Sequence, residues 1–395
     1  MSEAEVVVAG HICLDIIPSL EGLSEELAQL LRPGGLVKVG PAQVGTGGVV
    51  ANTGLALHRL GVAARLMGKV GDDHIGRTIL AVLRAHAPSL ADDMIVAPGE
   101  HSSYTIVISP PGRDRMFLHC PGANDTFGAA DVPAERTAGA RIFHFGYPPL
   151  MRRMYSDGSE ELARLLAAAR GRGAAVSMDV SQPDPESEAG RADWTAVLAR
   201  ALPHVNLYMP SLEETLFMLD RPRFDARAEG APPPDTPLIA EMADRLLAMG
   251  AAVVGLKLGE RGLYLRTSDD GARMAAVGGR LGLDAPAWRS RELLAPCFRV
   301  EVAGTPGAGD TTVAGFLAAL LRGLGPEDAL RTAVAVGACS VERPDATSGV
   351  SSWDAVQRRI AAGWSRRETD LELPGWRVHE TTGILRGPND GGPAA

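Results

Sequence analysis

Residues 304–311 read GTPGAGDT, and Asp310 stands where a phosphate-cradling P-loop of pattern G-x-x-x-x-G-K-[ST] carries its lysine. Three chemistries compete for this stretch. A glycine-rich strand-to-helix turn needs no ligand at all, and such turns are common. A degenerate P-loop is opposed by electrostatics: a carboxylate ~4 Å from a phosphate charge costs roughly 4 kcal/mol at an effective dielectric near 20. In the third reading the acid is the purpose of the loop. Gly307, Ala308 and Gly309 leave the backbone bare at a helix start, so that their amides, with that of Asp310, can face one anion. The helix dipole favours an ionised Asp310 in the first turn. Such a carboxylate can take a proton from an attacking hydroxyl while the amides hold the charge that develops on a transferred phosphoryl group.

The elements that must position this loop alternate along the chain. EVVVAG (5–10) reads as a strand buried on both faces, 49–61 as a helix, 64–71 as a strand and 74–86 as a helix. Strands are then expected at 140–146, 174–180, 205–210, 251–259 and 261–267, and helices at 160–173, 192–202, 238–250, 311–325 and 328–342. This alternation predicts an α/β fold, a doubly wound and mainly parallel sheet with helices on both faces. Ligands of such sheets bind outside the carboxyl ends of the strands. Two segments break the rhythm. Residues 12–48 are rich in Gly and Pro, and 101–120 read as a hairpin around Pro-Pro-Gly; together they are expected to form a small antiparallel β lid. Residues 221–237 read as a surface insertion. The segment 371–395 has weak periodicity, ends in GPNDGGPAA and is expected to fray. The expectation is one α/β domain over 4–370 followed by that tail.

Composition narrows the partners. With 45% apolar residues the chain can build a large core, and its formal net charge of -9 argues against a nucleic-acid partner and against an anionic membrane surface. The start, MSEAEVVVAG, lacks the basic region of a signal peptide, and no apolar run approaches the length of a spanning helix. The four cysteines, Cys13, Cys120, Cys297 and Cys339, are far apart, which predicts free thiols and a cytoplasmic setting.

The loop and several distant motifs together resemble the ribokinase-like, or PfkB, family of carbohydrate kinases. Its carboxy-terminal signature, roughly D-T-x-G-A-G-D, is matched by Thr305, Gly307, Ala308, Gly309 and Asp310, with Ala314, Gly315 and Phe316 beyond. The stretch VGTGGVVANTGLALHRLG supplies Gly47, Gly48 and Asn52 of the amino-terminal signature; Gly61 and Gly71 follow at the family's spacing, and PGAND (121–125) matches the G-A-N after the lid. The resemblance runs from about Val6 to Val350. It implies phosphoryl transfer from MgATP to a small alcohol under a β lid, with Asp310 as catalytic base and Gly307–Gly309 as anion hole. It further implies Asp15 as the sugar-binding acid beside Gly47, Gly48 and Asn52, and Lys257 and Gly259 near the nucleotide. Glu214 of PSLEE would organise Mg²⁺ through water. In relatives the lids often pair between subunits, which implies a homodimer.

The sequence departs from the family in three places. Gly304 replaces the Asp that helps form a monovalent-cation site in relatives, so the resemblance carries no potassium requirement over. Ser211 replaces the Asn of P-N-x-x-E. In DVSQP (179–183) Asp179 remains, but the Asn and Arg of D-x-N-x-R are absent. Each residue also has a bland reading: Asp15 as a turn acid, Asn52 as a backbone cap, Glu214 as a solvated helix charge, Lys257 as a solvated strand end. His119, Arg113 and Arg115 read as a wet hairpin face and His144 as packing. Two other functions remain open. A nucleoside kinase of the same family needs an aromatic slot for its base, for which the lid offers Tyr104 and Phe117. A catalytically silent ligand-binding relative predicts decay at the base or anion hole, and here both stand intact.

Overall fold

The computed structural model describes residues 4–20, 33–109, 116–228 and 233–392. Arg113 and Arg115 lie outside them, as does the Pro-Pro-Gly turn. The sixteen strands among the described residues are β1 (Val6–Gly10), β2 (Cys13–Pro18), β3 (Ala42–Gly47), β4 (Ala64–Met67), β5 (Lys69–Gly71), β6 (Ile95–Ala97), β7 (Tyr104–Ile108), β8 (Met116–Cys120), β9 (Ile142–Gly146), β10 (Ala175–Asp179), β11 (Leu207–Tyr208), β12 (Val253–Lys257), β13 (Leu263–Thr267), β14 (Glu292–Ala295), β15 (Arg377–Val378) and β16 (Leu385–Arg386). Ten of them form one sheet in the order β15-β16-β14-β13-β12-β11-β10-β9-β1-β4. Pairing is parallel from β4 to β12 and antiparallel from β12 to β15.

Alternation within β1 shows why the sheet must be covered twice. Val6 and Val8 join one core with the helices Val49–Arg59, Ala308–Leu321 and Pro326–Val341; Val7 and Ala9 join the other with Glu160–Gly171 and Thr236–Ala248. All four of these β1 side chains are fully buried, as a doubly covered parallel sheet requires. After β1 the chain runs outward to β4 and then returns on the other side to β9. The strand order therefore reverses between β1 and β9, where a crevice opens at the carboxyl ends.

The lid is a separate four-stranded sheet in the order β3-β2-β7-β8. Its outer pairings are antiparallel as expected, but the central pair β2–β7 is parallel, because the chain builds most of the large sheet's β1–β4 edge between them. The strand expected over 64–71 divides at Gly68, and β5 leaves to pair with β6. Among the elements that sequence periodicity missed are the helix Gly271–Leu281, strand β14 and the helix Trp353–Ala361. In the expected insertion a helix spans Arg221–Ala228. Among the described residues no helix is long and apolar enough to cross a membrane.

The segment from Leu371 does not fray within the described residues. It adds β15 and β16 to the sheet edge, and Asp390 then meets a fully buried arginine. Arg291, 1% exposed, donates from Nε to Asp390 Oδ1 at 2.8 Å and from Nη2 to Glu327 Oε1 at 2.5 Å. Arg386 Nη2 donates to the same Glu327 oxygen at 2.7 Å. Ion pairing, invisible to periodicity, holds these two-residue strands. Removing one partner of a buried pair typically costs 3–5 kcal/mol. Asp390→Ala is therefore expected to lower stability by about 3 kcal/mol, the low end because Glu327 stays. The midpoint of urea unfolding measures this, and an unchanged midpoint would show that the clasp carries no stability.

Candidate active site

Elements far apart in the sequence converge on the Asp310 carboxylate. The helix Ala308–Leu321 starts at Gly307, whose φ of 64° lies in the left-handed region that glycine enters without strain. Asp310 occupies the first turn and is 2% exposed. Its Oδ2 accepts from Asn52 Nδ2 at 2.9 Å and from the Tyr147 hydroxyl at 2.8 Å. Its Oδ1 is buried without a protein partner. The two oxygens are thus differentiated, one saturated and one available. Burial raises the Asp310 pKa; Lys257 and the donors from Asn52 and Tyr147 act in the opposite direction.

Each supporting residue is placed by a strand end or a helix start. Asn52 sits in the first turn of Val49–Arg59, entered through Gly48 at φ 86°. Tyr147 follows β9 and itself adopts φ 65°, a rare conformation for a bulky residue, which aims its hydroxyl back at Asp310. Lys257 ends β12, and its Nζ donates to both oxygens of Asp179, at 2.7 and 2.8 Å, at the end of β10. Burial opposes the Lys257 charge, yet Asp179 and Glu214 outweigh it and its pKa rises. Asp179 is pushed above the usual carboxylate range, first by burial and then by the neighbouring acids Glu214 and Asp310, despite Lys257. A Cβ on Gly309 would lie 3.3 Å from Lys257 Nζ, so the ammonium lies against the glycine-rich loop.

Asp310 lies on the wall of a large cavity. A cavity of about 920 Å³ is lined by Gly307–Asp310, Lys257, Gly259 and Glu214 on its polar side, and by Phe298, Val300, Val334, Ala338 and Val341 on its apolar side. That volume suits a cofactor-sized ligand. Asp15 and Gly47 belong to the lid strands β2 and β3, and Gly48 and Asn52 to the start of the helix Val49–Arg59 that follows. Burial raises the Asp15 pKa, and Cys13 Sγ donates to its Oδ1 at 3.3 Å.

Several expected residues have additional or different duties. Ser211 and Glu214 form a reciprocal capping box: Glu214 N donates to Ser211 Oγ at 3.1 Å, and Ser211 N donates to Glu214 Oε2 at 2.5 Å. Serine thus preserves the helix cap, and one Glu214 oxygen is committed to it. The Ala308 amide donates to the Thr305 carbonyl at 3.3 Å, leaving Gly309 and Asp310 as the amides of the first turn without an intrahelical partner. A Cβ on Gly304 would come within 2.9 Å of the Pro344 backbone, so this loop has no room for the aspartate of the family pattern. Asn124 of PGAND bonds both N and O of Ile12, at 3.2 and 2.9 Å, and ties the lid to the end of β1. His144 lies buried mid-strand with Nδ1 2.9 Å from Ser177 Oγ, its pKa held down to about 3 chiefly by burial. Among the described residues no three Asp, Glu, His or Cys side chains converge on a direct metal site. The sequence reading missed Tyr147, the Lys257–Asp179 pair and His11; only His11, in GHICLD beside Asp15, carried a visible signal.

The family model for pfkB family carbohydrate kinases matches residues 3–353. The chain belongs to that family. Its activity class is accordingly that of a carbohydrate kinase. A sugar kinase of Archaeoglobus fulgidus, itself uncharacterized, is 25% identical over 296 residues, spanning 75% of this chain and 98% of that one. The 2-dehydro-3-deoxygluconokinase of Bacillus subtilis is 23% identical over 346 residues, 83% of this chain and 90% of that one. Among solved structures, the ribokinase of Arabidopsis thaliana complexed with ribose and ATP superposes with a TM-score of 0.68 at 18% identity, covering 90% of this chain and 98% of that one. This last likeness shows a shared ribokinase-like fold.

The Tyr147 hydrogen bond favours the charged form of Asp310. Tyr147→Phe removes it, so the Asp310 pKa is expected to rise further. The acidic limb of the kcat/KM profile should then move to higher pH. A limb that stays in place or moves down would show that Tyr147 does not tune the base.

Proposed function

We propose that this carbohydrate kinase transfers the γ-phosphoryl group of ATP to a hydroxyl of a sugar or sugar-like acceptor, with Asp310 as general base. The observation that carries the reading is the divided Asp310 carboxylate, one oxygen saturated and one available, on the wall of the large cavity. The ribose and ATP in the Arabidopsis complex support this choice of substrates.

The acceptor lies under the lid against Asp15, Gly47, Gly48 and Asn52, with one hydroxyl directed at Asp310 Oδ1. Asp310 takes that proton as the oxygen attacks. Burial makes the carboxylate a better base than an exposed aspartate. The amides of Gly307, Gly309 and Asp310 and the Lys257 ammonium face the developing negative charge. Lys257 and Gly259 would hold the donor phosphates, and the Glu214 oxygen not used in the helix cap would help hold Mg²⁺, which supplies positive charge beside the phosphates. MgATP, when bound, supplies the phosphoryl group and the divalent charge that steadies it. The lid excludes water from the transfer. The setting is cytoplasmic.

ADP release over pentoses, hexoses, 2-keto-3-deoxy sugar acids, phosphosugars and nucleosides tests this reading, with and without potassium. Turnover is expected with a sugar, without a potassium requirement, and Asp310→Asn should lower kcat by about 10²–10⁴-fold. Undiminished turnover in Asp310→Asn would sink the mechanism. Nucleosides belong in the panel because Phe117 shares the lid face of His119 and is 58% exposed. Failure with every acceptor would favour a ligand-binding relative.

A homodimer through the lid is supported by one register row. Val44, Ile16, Ile106 and Leu118 are cross-strand neighbours over all four lid strands, and Val44 and Leu118 are 52% and 55% exposed. Sedimentation should give a dimer for the natural chain and a monomer for Leu118→Glu. A natural chain that sediments as a monomer refutes the pairing.

A further inference from the structure

We propose that His11 determines acceptor specificity: its imidazole binds a hydroxyl adjacent to the one held by Asp15, which selects a neutral polyol with neighbouring hydroxyls. The inference rests on the phosphoryl-transfer reading and extends it to a residue and a substrate class.

His11 follows β1 at the switch point of the large sheet. It is 2% exposed, and neither ring nitrogen has a protein partner. A buried orphan polar atom typically costs about 1–3 kcal/mol, and here two share one ring. Other orphans lie close by in the site, Asp310 Oδ1 and Asn52 Oδ1. Unsatisfied buried atoms gathered in one compartment are what a hydroxyl-rich ligand would satisfy.

The neighbours of the ring place it between the lid and the base. Its centroid lies 6.1 Å from that of Tyr147, which holds Asp310, and 5.2 Å from that of His119. His119 belongs to a second register row that crosses the lid, Gly45–Asp15–Thr105–His119. Its Nδ1 is 3.0 Å from Thr105 Oγ1, so it is better connected than a wet hairpin face implies.

The glycine pair of VGTGG fixes the spacing. A Cβ on Gly47 would lie 2.2 Å from Asp15 Oδ2, and one on Gly48 would lie 2.5 Å from His11 Nδ1. Consecutive Cα atoms are about 3.8 Å apart. Carboxylate and imidazole therefore press on adjacent glycines. Burial, with His119 second, pulls the His11 pKa well below its ordinary value. The neutral ring has one donor and one acceptor nitrogen, the complement of a hydroxyl.

The test uses His11→Phe, which keeps a flat ring of similar size, and His11→Asn, which restores a donor and an acceptor. Binding is read by calorimetry in Asp310→Asn, so that it does not depend on turnover, and kinetics are read in the natural background. Neutral sugars and their monodeoxy analogues are the probes. His11→Phe is expected to raise the KM and Kd for the sugar about tenfold and leave the KM for ATP unchanged. His11→Asn should recover most of the loss, and the deoxy analogue lacking the relevant hydroxyl should bind natural and Phe proteins alike. Unchanged sugar affinity in a folded His11→Phe protein, an equal rise in both KM values, or a natural protein that binds no neutral polyol overturns the proposal. Turnover surviving in Asp310→Asn would instead remove Asp310 as base and leave the His11 comparison standing.

Discussion

The arrangement depends on keeping a charge on a carboxylate that has been taken out of water. An isolated buried carboxylate would pick up a proton and could then no longer accept one. Asp310 is offset by two neutral donors and one nearby cation, and each makes a demand on the fold. Asn52 requires a helix that starts at Gly48 in a left-handed turn. Tyr147 requires a strained backbone at the end of β9. Lys257 requires β12 to end across the short β11 from β10, where Asp179 restrains the ammonium. The doubly wound sheet meets these demands by aligning the carboxyl ends of parallel strands along one rim.

Legibility followed physical locality. The 304–311 loop could be read as a helix start because a tight turn with φ in the left-handed region restricts residue type to glycine. The long helices and the central strands could be read because burial imposes a period on them. Tyr147 could not, since its role comes from a backbone conformation and a partner 163 positions away. The two-residue strands β15 and β16 are too short for any period, and their anchoring lies in the Arg291 ion pairs. The lid was legible as strands but not as a mixed sheet, because pairing direction depends on where the chain travels between β2 and β7.

The departures from the family pattern acquire physical meaning in three dimensions. Serine at 211 is an N-cap as good as the asparagine it replaces. Gly304 accommodates the Pro344 backbone. Where the guanidinium of the D-x-N-x-R pattern is absent, Asp179 has the Lys257 ammonium as its counter-charge. The same residues that weaken the sequence match thus keep the helix start, the loop path and the local charge in order.

The pairing of β1 with both β4 and β9 has a consequence for how the chain reaches its working state. His11, Asn52, Tyr147 and Asp310 are drawn from widely separated parts of the sequence, and β1 cannot acquire its β9 neighbour until about 130 intervening residues have been brought round. Helices form early and locally, whereas such distant strand pairing is slow. Catalytic competence therefore reports long-range topological order, and a collapsed chain with most of its helices in place would still lack an active centre.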